Sequence, residues 1–207
     1  MALDLQPVYP IVDVDICRLR GLDPLFVLDA FLGGGARFIQ LRDKTARTGA
    51  FVALADAAVS RAHAAGAHLI VNDRADVARV SGADGVHVGQ DDLAIEDVRR
   101  ILGPGAIVGL STHDEAQIDR AVATSATYLA VGPIYSTQTK DTGYGARGLD
   151  LVRYAASRGG ERPVVAIGGI TLDRAPDVIA AGAASVAVIS DLLTGDPRER
   201  VRVFLAL

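Results

Sequence analysis

The chain has 207 residues, half of them hydrophobic and 22% charged, with a net charge of −4. That is enough for one good-sized core, and the weakly acidic balance lacks the basic footprint of a nucleic-acid protein. Tryptophan is absent and aromatics are 5%, too few for a base-stacking platform, and polar residues break every apolar run well short of the roughly 20 residues a membrane span needs. The opening Met1-Ala2-Leu3-Asp4 has neither a basic n-region nor an apolar h-region, so no signal peptide is expected. The lone cysteine, Cys17, has no disulfide or metal-ligand partner, which suits a reducing, cytoplasmic setting.

Residues 8–12 form a short apolar run after Pro7 and read as the first strand. Asp23-Pro24 opens an apolar-periodic helix over 25–32, with a cap residue followed by Pro at the first helical position. Gly33-Gly34-Gly35 ends it. A strand begins at Phe38, and its outgoing end carries Gln40, Arg42 and Lys44. Residues 51–65 are Ala-rich with helical spacing and close at Gly66. The strand at 68–71 runs into Asn72-Asp73-Arg74 and a short helix over 75–81. The strand at 85–88 runs into Gly89-Gln90-Asp91-Asp92 and a helix over 95–102. Residues 107–110 are the next strand, leading into Ser111-Thr112-His113-Asp114 and a helix to about 124. The strand at 128–131 enters a long loop, 132–148, before a helix over 149–157. The strand at 164–167 ends in Gly168-Gly169, with a helix over 172–181. The last strand, 186–189, ends in Ser190-Asp191, and Asp196-Pro197 opens the final helix.

These are eight strand–helix cycles with no linker or break in composition. Short, continuous Val- and Ile-rich runs fit a parallel sheet covered on both faces. Eight cycles in one domain, 1–207, predict a closed (β/α)₈ TIM barrel. A doubly wound open sheet is the alternative, but Val12 is followed by Asp13-Val14-Asp15 rather than a dinucleotide-binding glycine turn.

In such a barrel the chemistry lies at the C-terminal ends of the strands. Asp73 and one of Asp91 or Asp92 then emerge from adjacent strands. Two hard-oxygen carboxylates suit Mg²⁺, which keeps several waters and grips substrate phosphates. The plain alternative is that both acids cap the helices that follow. Arg42, Lys44 and Lys140 beside such a pair suit a diphosphate, and as plain surface residues they would be solvated charges. Gly168-Gly169 and Ile189-Ser190 follow the seventh and eighth strands, where barrels cradle a phosphate on backbone N–H groups. The same glycines would also serve a turn that needs positive φ. His87, between two valines, reads as a packed barrel residue rather than a base. His113 stands at a strand end with no nucleophile to activate. Cys17 has no base beside it and reads as inert.

Six blocks in order carry a resemblance: Gln40-Leu41-Arg42-Asp43-Lys44, Val71-Asn72-Asp73-Arg74, residues 85–92, Ser111-Thr112-His113, residues 132–140 and Ala166-Ile167-Gly168-Gly169-Ile170. Together they span nearly the whole chain, which resembles the thiamine-phosphate synthases. The resemblance implies a (β/α)₈ barrel that joins a hydroxymethylpyrimidine diphosphate to hydroxyethylthiazole phosphate and releases diphosphate. It implies that Gln40, Leu41, Arg42, Asp43, Lys44, Asn72, Ser111 and Lys140 bind the pyrimidine diphosphate. Of these, Lys140, Arg42 and Ser111 are the expected catalytic residues. It implies that Asp73 and Asp92 hold Mg²⁺, and that Thr137, Gln138, Thr139, Gly169, Ile189 and Ser190 bind the thiazole phosphate. Two departures are Ser136, where the family often has Pro, and the Gly-rich stretch 141–147, which aligns poorly.

The inventory holds no dedicated nucleophile or strong base, and departure of a diphosphate needs neither. Electrostatic help for the leaving group, orientation and exclusion of water suffice. Two alternatives stand beside this reading. One is a thiazole tautomerase-like isomerase, which needs no diphosphate site. The other is a non-catalytic barrel that binds phosphate ligands. The expected partners are small molecules, with neither nucleic acid nor membrane, and the sequence leaves oligomeric state open.

Overall fold

A computed structural model of the chain describes residues 3–136 and 143–207. Its eight strands are β1 (Val8–Asp13), β2 (Phe38–Arg42), β3 (His68–Asn72), β4 (Gly85–Val88), β5 (Ile107–Thr112), β6 (Tyr128–Val131), β7 (Val164–Ile167) and β8 (Ser185–Val188). All pair in parallel with their sequence neighbours, and β8 pairs back onto β1 at Val8↔Val186, closing the barrel. The connecting helices are α1 (Val14–Leu19), α2 (Pro24–Gly33), α3 (Thr48–Ala64), α4 (Ala75–Ser81), α5 (Ile95–Leu102), α6 (Glu115–Val122), α7 (Gly148–Arg158) and α8 (Ala175–Ala180), and α9 (Pro197–Leu205) ends the chain. A single 3₁₀ turn, Ser190–Leu193, follows β8. Among the described residues no helix is long and apolar enough to cross a membrane.

Side chains alternate across each strand, so one parity faces the helices and the other fills the barrel. Val12, Leu41, Val71, Val86 and Val108 face outward and pack with helix residues such as Phe31, Phe51 and Val98. Tyr9, Phe38, Ile70, Tyr128 and Val165 face inward and form a separate cluster. Three of these rings close on one another edge-on or tilted, with centroids 4.6 Å apart for Tyr9–Phe38, 5.9 Å for Phe38–Tyr128 and 6.0 Å for Tyr9–Tyr128. Small residues make room for them. A Cβ on Gly109 would stand 2.1 Å from the Tyr128 ring and 2.4 Å from His87 Nδ1. One on Gly85 would stand 1.8 Å from the Ile107 carbonyl oxygen.

Helix starts follow their capping residues. Asp23 accepts from the Phe26 amide at 2.9 Å, and Asp114 accepts from the Gln117 amide at 2.7 Å. Several element ends differ from the sequence reading by a few residues, as at α3, which starts at Thr48 rather than at 51, and two differences concern how a helix begins. Residues after β1 form a short helix, α1, where no helix is predicted, because the Asp13 carboxylate accepts from the Ile16 amide at 3.0 Å and starts a turn. The helix predicted over 172–181 begins at Ala175, with Pro176 in its first turn.

Candidate active site

A cavity of about 450 Å³ opens at the C-terminal end of the barrel. That volume suits a small ligand. Gln40, Arg42, Asn72 and Ser111 line one side of it, and Gly168, Gly169, Ile189 and Ser190 line another. Parity explains the selection: Gln40 and Arg42 face in, while Leu41 between them is buried against the outer helices.

At the rim beside Asn72, the Asp73 amide donates to the His87 carbonyl at 2.7 Å. Asp73 has φ of 60°, the one positive φ outside glycine among the described residues. Asp tolerates this left-handed region better than most residues, and such conformations gather at functional sites. The Asp73 carboxylate forms an ion pair with Lys44. It also meets Asp92, whose own Oδ2 accepts from the Gly89 amide at 2.8 Å. Partial burial lifts the Asp92 carboxyl above the usual carboxylate range, and the charge and hydrogen bonding of Asp73 add to that lift. The Gly89 amide and Lys44 pull the other way. Of the two acids left open by the sequence, Asp92 is thus the one that faces Asp73. Among the described residues no group of three or more His, Cys, Asp and Glu is arranged around a metal. Two adjoining carboxylates still fit Mg²⁺, which takes one or two carboxylates and completes its shell with water and substrate phosphate.

Arg42 is anchored from below. It forms an ion pair with Asp13, a buried acid that sequence reading passes over. Its Nε is buried without a hydrogen-bond partner.

On the opposite side, Gly168 and Gly169 have φ of 103° and 63°, and added Cβ atoms would strike Pro133 at 2.5 Å and the Ser136 carbonyl at 2.5 Å. Glycine is therefore required here both for conformation and for close packing against the β6 loop. Two cations also line this side, Arg20 and Arg174. Arg174 donates to the Gly169 carbonyl at 2.9 Å and lies 4.7 Å from the centre of the Tyr135 ring. Arg20 donates to the Leu193 carbonyl at 2.8 Å. Sequence reading missed both, since isolated arginines in helix-flanking turns look like solvated charges.

A chain of hydrogen bonds crosses the barrel along the cavity, four of its five residues lining it and Tyr128 buried behind them. It runs from Gln40 through Tyr9 and Tyr128 to His87 and ends at Ser111. Burial pushes both phenols well above their ordinary range, so they stay protonated. Near β1, burial and then Asp13 and Asp23 push the Cys17 thiol up to about 11, against a smaller opposing effect of Arg20. Burial and a raised pKa disfavour the reactive thiolate at Cys17, in keeping with its sequence context.

The family model for thiamine monophosphate synthase matches residues 8–192. This chain belongs to that family. A thiamine-phosphate synthase from Mycobacterium sp. (strain JLS) is 46% identical over 195 residues, covering 88% of this chain and 84% of the relative. One from Acidothermus cellulolyticus is 43% identical over 195 residues, covering 93% and 91%. The solved thiamine phosphate pyrophosphorylase from Pyrococcus furiosus superposes with a TM-score of 0.85 at 29% identity, covering 96% of this chain and 93% of that one. The fold expected from the strand–helix cycles, and the family expected from the six blocks, are both found.

The residues implied by likeness to the thiamine monophosphate synthases divide by position. Gln40, Arg42, Asn72, Ser111, Gly169, Ile189 and Ser190 all line the one cavity, the first four on one side and the last three on the other. Asp73, Asp92 and Lys44 cluster at its rim. Leu41 turns its side chain away, into the core between barrel and helices. The Asp43 carboxylate is taken by the Thr45 and Ala46 amides, at 3.0 and 2.8 Å, in the loop after β2. Thr137, Gln138, Thr139 and Lys140 lie outside the described residues. Arg74, beside Asp73, pairs with Asp76 instead of turning to the cavity wall.

Proposed function

We propose that this barrel is a thiamine-phosphate synthase, a transferase. It joins 4-amino-2-methyl-5-(diphosphooxymethyl)pyrimidine to hydroxyethylthiazole phosphate and releases diphosphate. The observation that carries this reading is the two-sided mouth. An acid pair with Lys44 and Arg42 stands at the ends of β2, β3 and β4, and a glycine cradle with Ser190 stands at the ends of β7 and β8. A single phosphate ligand would not need both.

Asp73 and Asp92 would hold Mg²⁺. When bound, this ion neutralises charge on the departing diphosphate. Arg42, aimed by Asp13, and Lys44 offer cationic donors to the same group. Lys140 is assigned to it by family likeness. Gln40, Asn72 and Ser111 would orient the pyrimidine. Gly169, Ile189 and Ser190, with Thr137, Gln138 and Thr139 by family likeness, would seat the thiazole phosphate beside it. Arg20 and Arg174 add positive charge on that side. The pyrimidine amine stabilises the methylene cation left behind, and the thiazole nitrogen captures it. The chain's task is to hold both rings together and keep water out. A soluble, cytoplasmic enzyme suits the single inert thiol.

Incubating the protein with both substrates and Mg²⁺ should yield thiamine phosphate and diphosphate, followed by chromatography, and EDTA should abolish the product. A thiazole tautomerase would leave Asp73 without a purpose. Full isomerase activity on a thiazole phosphate in Asp73→Asn, with no synthase activity in the parent, would replace this reading with that one.

A further inference from the structure

The chain of hydrogen bonds along the cavity does more than fill the barrel. Gln40 Nε2 is 3.0 Å from Tyr9 Oη, which is 3.1 Å from Tyr128 Oη. Tyr128 Oη is 2.9 Å from His87 Nδ1, and His87 Nε2 is 2.8 Å from Ser111 Oγ. Tyr9 is 1% exposed and Tyr128 is fully buried, so each phenol hydrogen needs an acceptor inside the protein. Each phenol, and a neutral imidazole, has one hydrogen to pass along the chain.

That arithmetic fixes a direction. Gln40 gives an amide hydrogen to Tyr9. Tyr9 must then give its own to Tyr128, Tyr128 to His87 Nδ1, and His87 Nε2–H to Ser111. Every buried hydrogen is placed, and the Ser111 hydroxyl hydrogen is free to point into the cavity. Running the chain the other way with the same Gln40 orientation would strand the Tyr9 hydrogen among Phe38, Ile11 and other apolar side chains. Only a half-turn of the Gln40 amide allows the reverse, and then Ser111 spends its hydrogen on His87. The two ends are therefore coupled. When Gln40 shows the cavity its oxygen, Ser111 shows it a hydrogen; when Gln40 shows a hydrogen, Ser111 shows only lone pairs.

We infer that Tyr9, Tyr128 and His87 are positioning residues that hold Gln40 as acceptor and Ser111 as donor toward the pyrimidine substrate. This deepens the proposed function and rests on it for the identity of the ligand. A 4-aminopyrimidine carries the complementary pair, an exocyclic amine to donate and a ring nitrogen to accept. A ring bearing a carbonyl in place of the amine would ask Gln40 for a hydrogen, and the reversed chain would then withdraw the hydrogen of Ser111. The wire thus selects for the amine through Tyr128, which stays behind the cavity lining, together with Tyr9 and His87, which are part of that lining.

The direction is read by ¹⁵N NMR of the His87 ring, identified by its loss in His87→Asn. Spectra are taken at pH 8 on the resting protein and with 4-amino-5-hydroxymethyl-2-methylpyrimidine, which lacks a diphosphate and cannot turn over. The Nε2–H tautomer with Nδ1 as acceptor is expected in both. An Nδ1–H tautomer or an imidazolium overturns the inference. This arm needs no catalysis, so it stands even if the protein proves not to make thiamine phosphate. In the kinetic arm, Tyr128→Phe and Tyr9→Phe should each raise KM for the pyrimidine diphosphate about tenfold and leave KM for the thiazole phosphate unchanged. Equal changes in both KM values, or none, overturn it. Should Tyr128→Phe fail to fold, Tyr9→Phe cuts the wire at its Gln40 end and keeps the His87–Tyr128 contact.

Discussion

Asp73 meets two demands at once. Its backbone sits at φ 60°, and its carboxylate faces both Lys44 and Asp92. Replacing it therefore confuses charge with conformation unless the replacement tolerates the left-handed region. Asn does, and Ala does not. Asp73→Asn should keep near-parental stability in denaturant melts and lose most synthase turnover. Asp73→Ala should lose turnover equally and cost about 1 kcal/mol more in stability. Equal melts for the two variants would show that the strained backbone relaxes when the acid is gone. The same logic separates Asp73 from Asp92, whose hold on the Gly89 amide makes its removal a loop perturbation as well as a loss of charge.

Among the elements, β5 is tightly constrained by the rings beside it. Gly109 stands where any side chain would enter the Tyr128 ring, and both neighbouring rings rely on that gap. Gly109→Ala should destabilise the barrel by about 2 kcal/mol or more and lower the melting temperature by several degrees. An unchanged melt would mean that the ring has space to move. Much of this element order was legible in the sequence. Strands β4, β6 and β7 and helices α4 and α5 occupy the residues that apolar runs and closing glycines predict. The misses have local causes. Val14 to Leu19 is only six residues, too short for apolar periodicity to mark it, and the Asp13 cap is what starts its helix. For the site, cations and acids at strand ends announce Arg42, Lys44 and Asp73. The anchoring of Arg42 by Asp13 depends on the β1–β2 register, Asp13↔Arg42, which one sequence does not print. His87 was legible as packed. Its reach to Ser111 depends on the neighbouring β5 register and was not.

Across the whole molecule the barrel separates chemistry from stability, one at each end. The opposite rim carries its own charged cluster around Asp84, in the turn before β4. One carboxylate oxygen accepts from the Leu69 amide at 2.8 Å and lies 3.0 Å from His63 Nε2; the other lies 2.9 Å from His68 Nδ1. Burial pushes this carboxyl up, but His68, the Leu69 amide and His63 together outweigh it, leaving its pKa below the ordinary value. A carboxyl depressed in the folded state lends stability that is complete above its unfolded pKa of about 4. That contribution fades as pH falls through the lower folded value. Denaturant melts of the parent and Asp84→Asn should therefore differ most near neutrality and converge below about pH 4. Synthase turnover at neutral pH should match within about twofold, since Asp84 stands at the end of the barrel away from the catalytic mouth. A stability gap of constant size from pH 7 to pH 3 would show that the site acts through its shape and not its charge. A large loss of turnover in the folded variant would break the division between the two ends on which the assignment of the mouth depends.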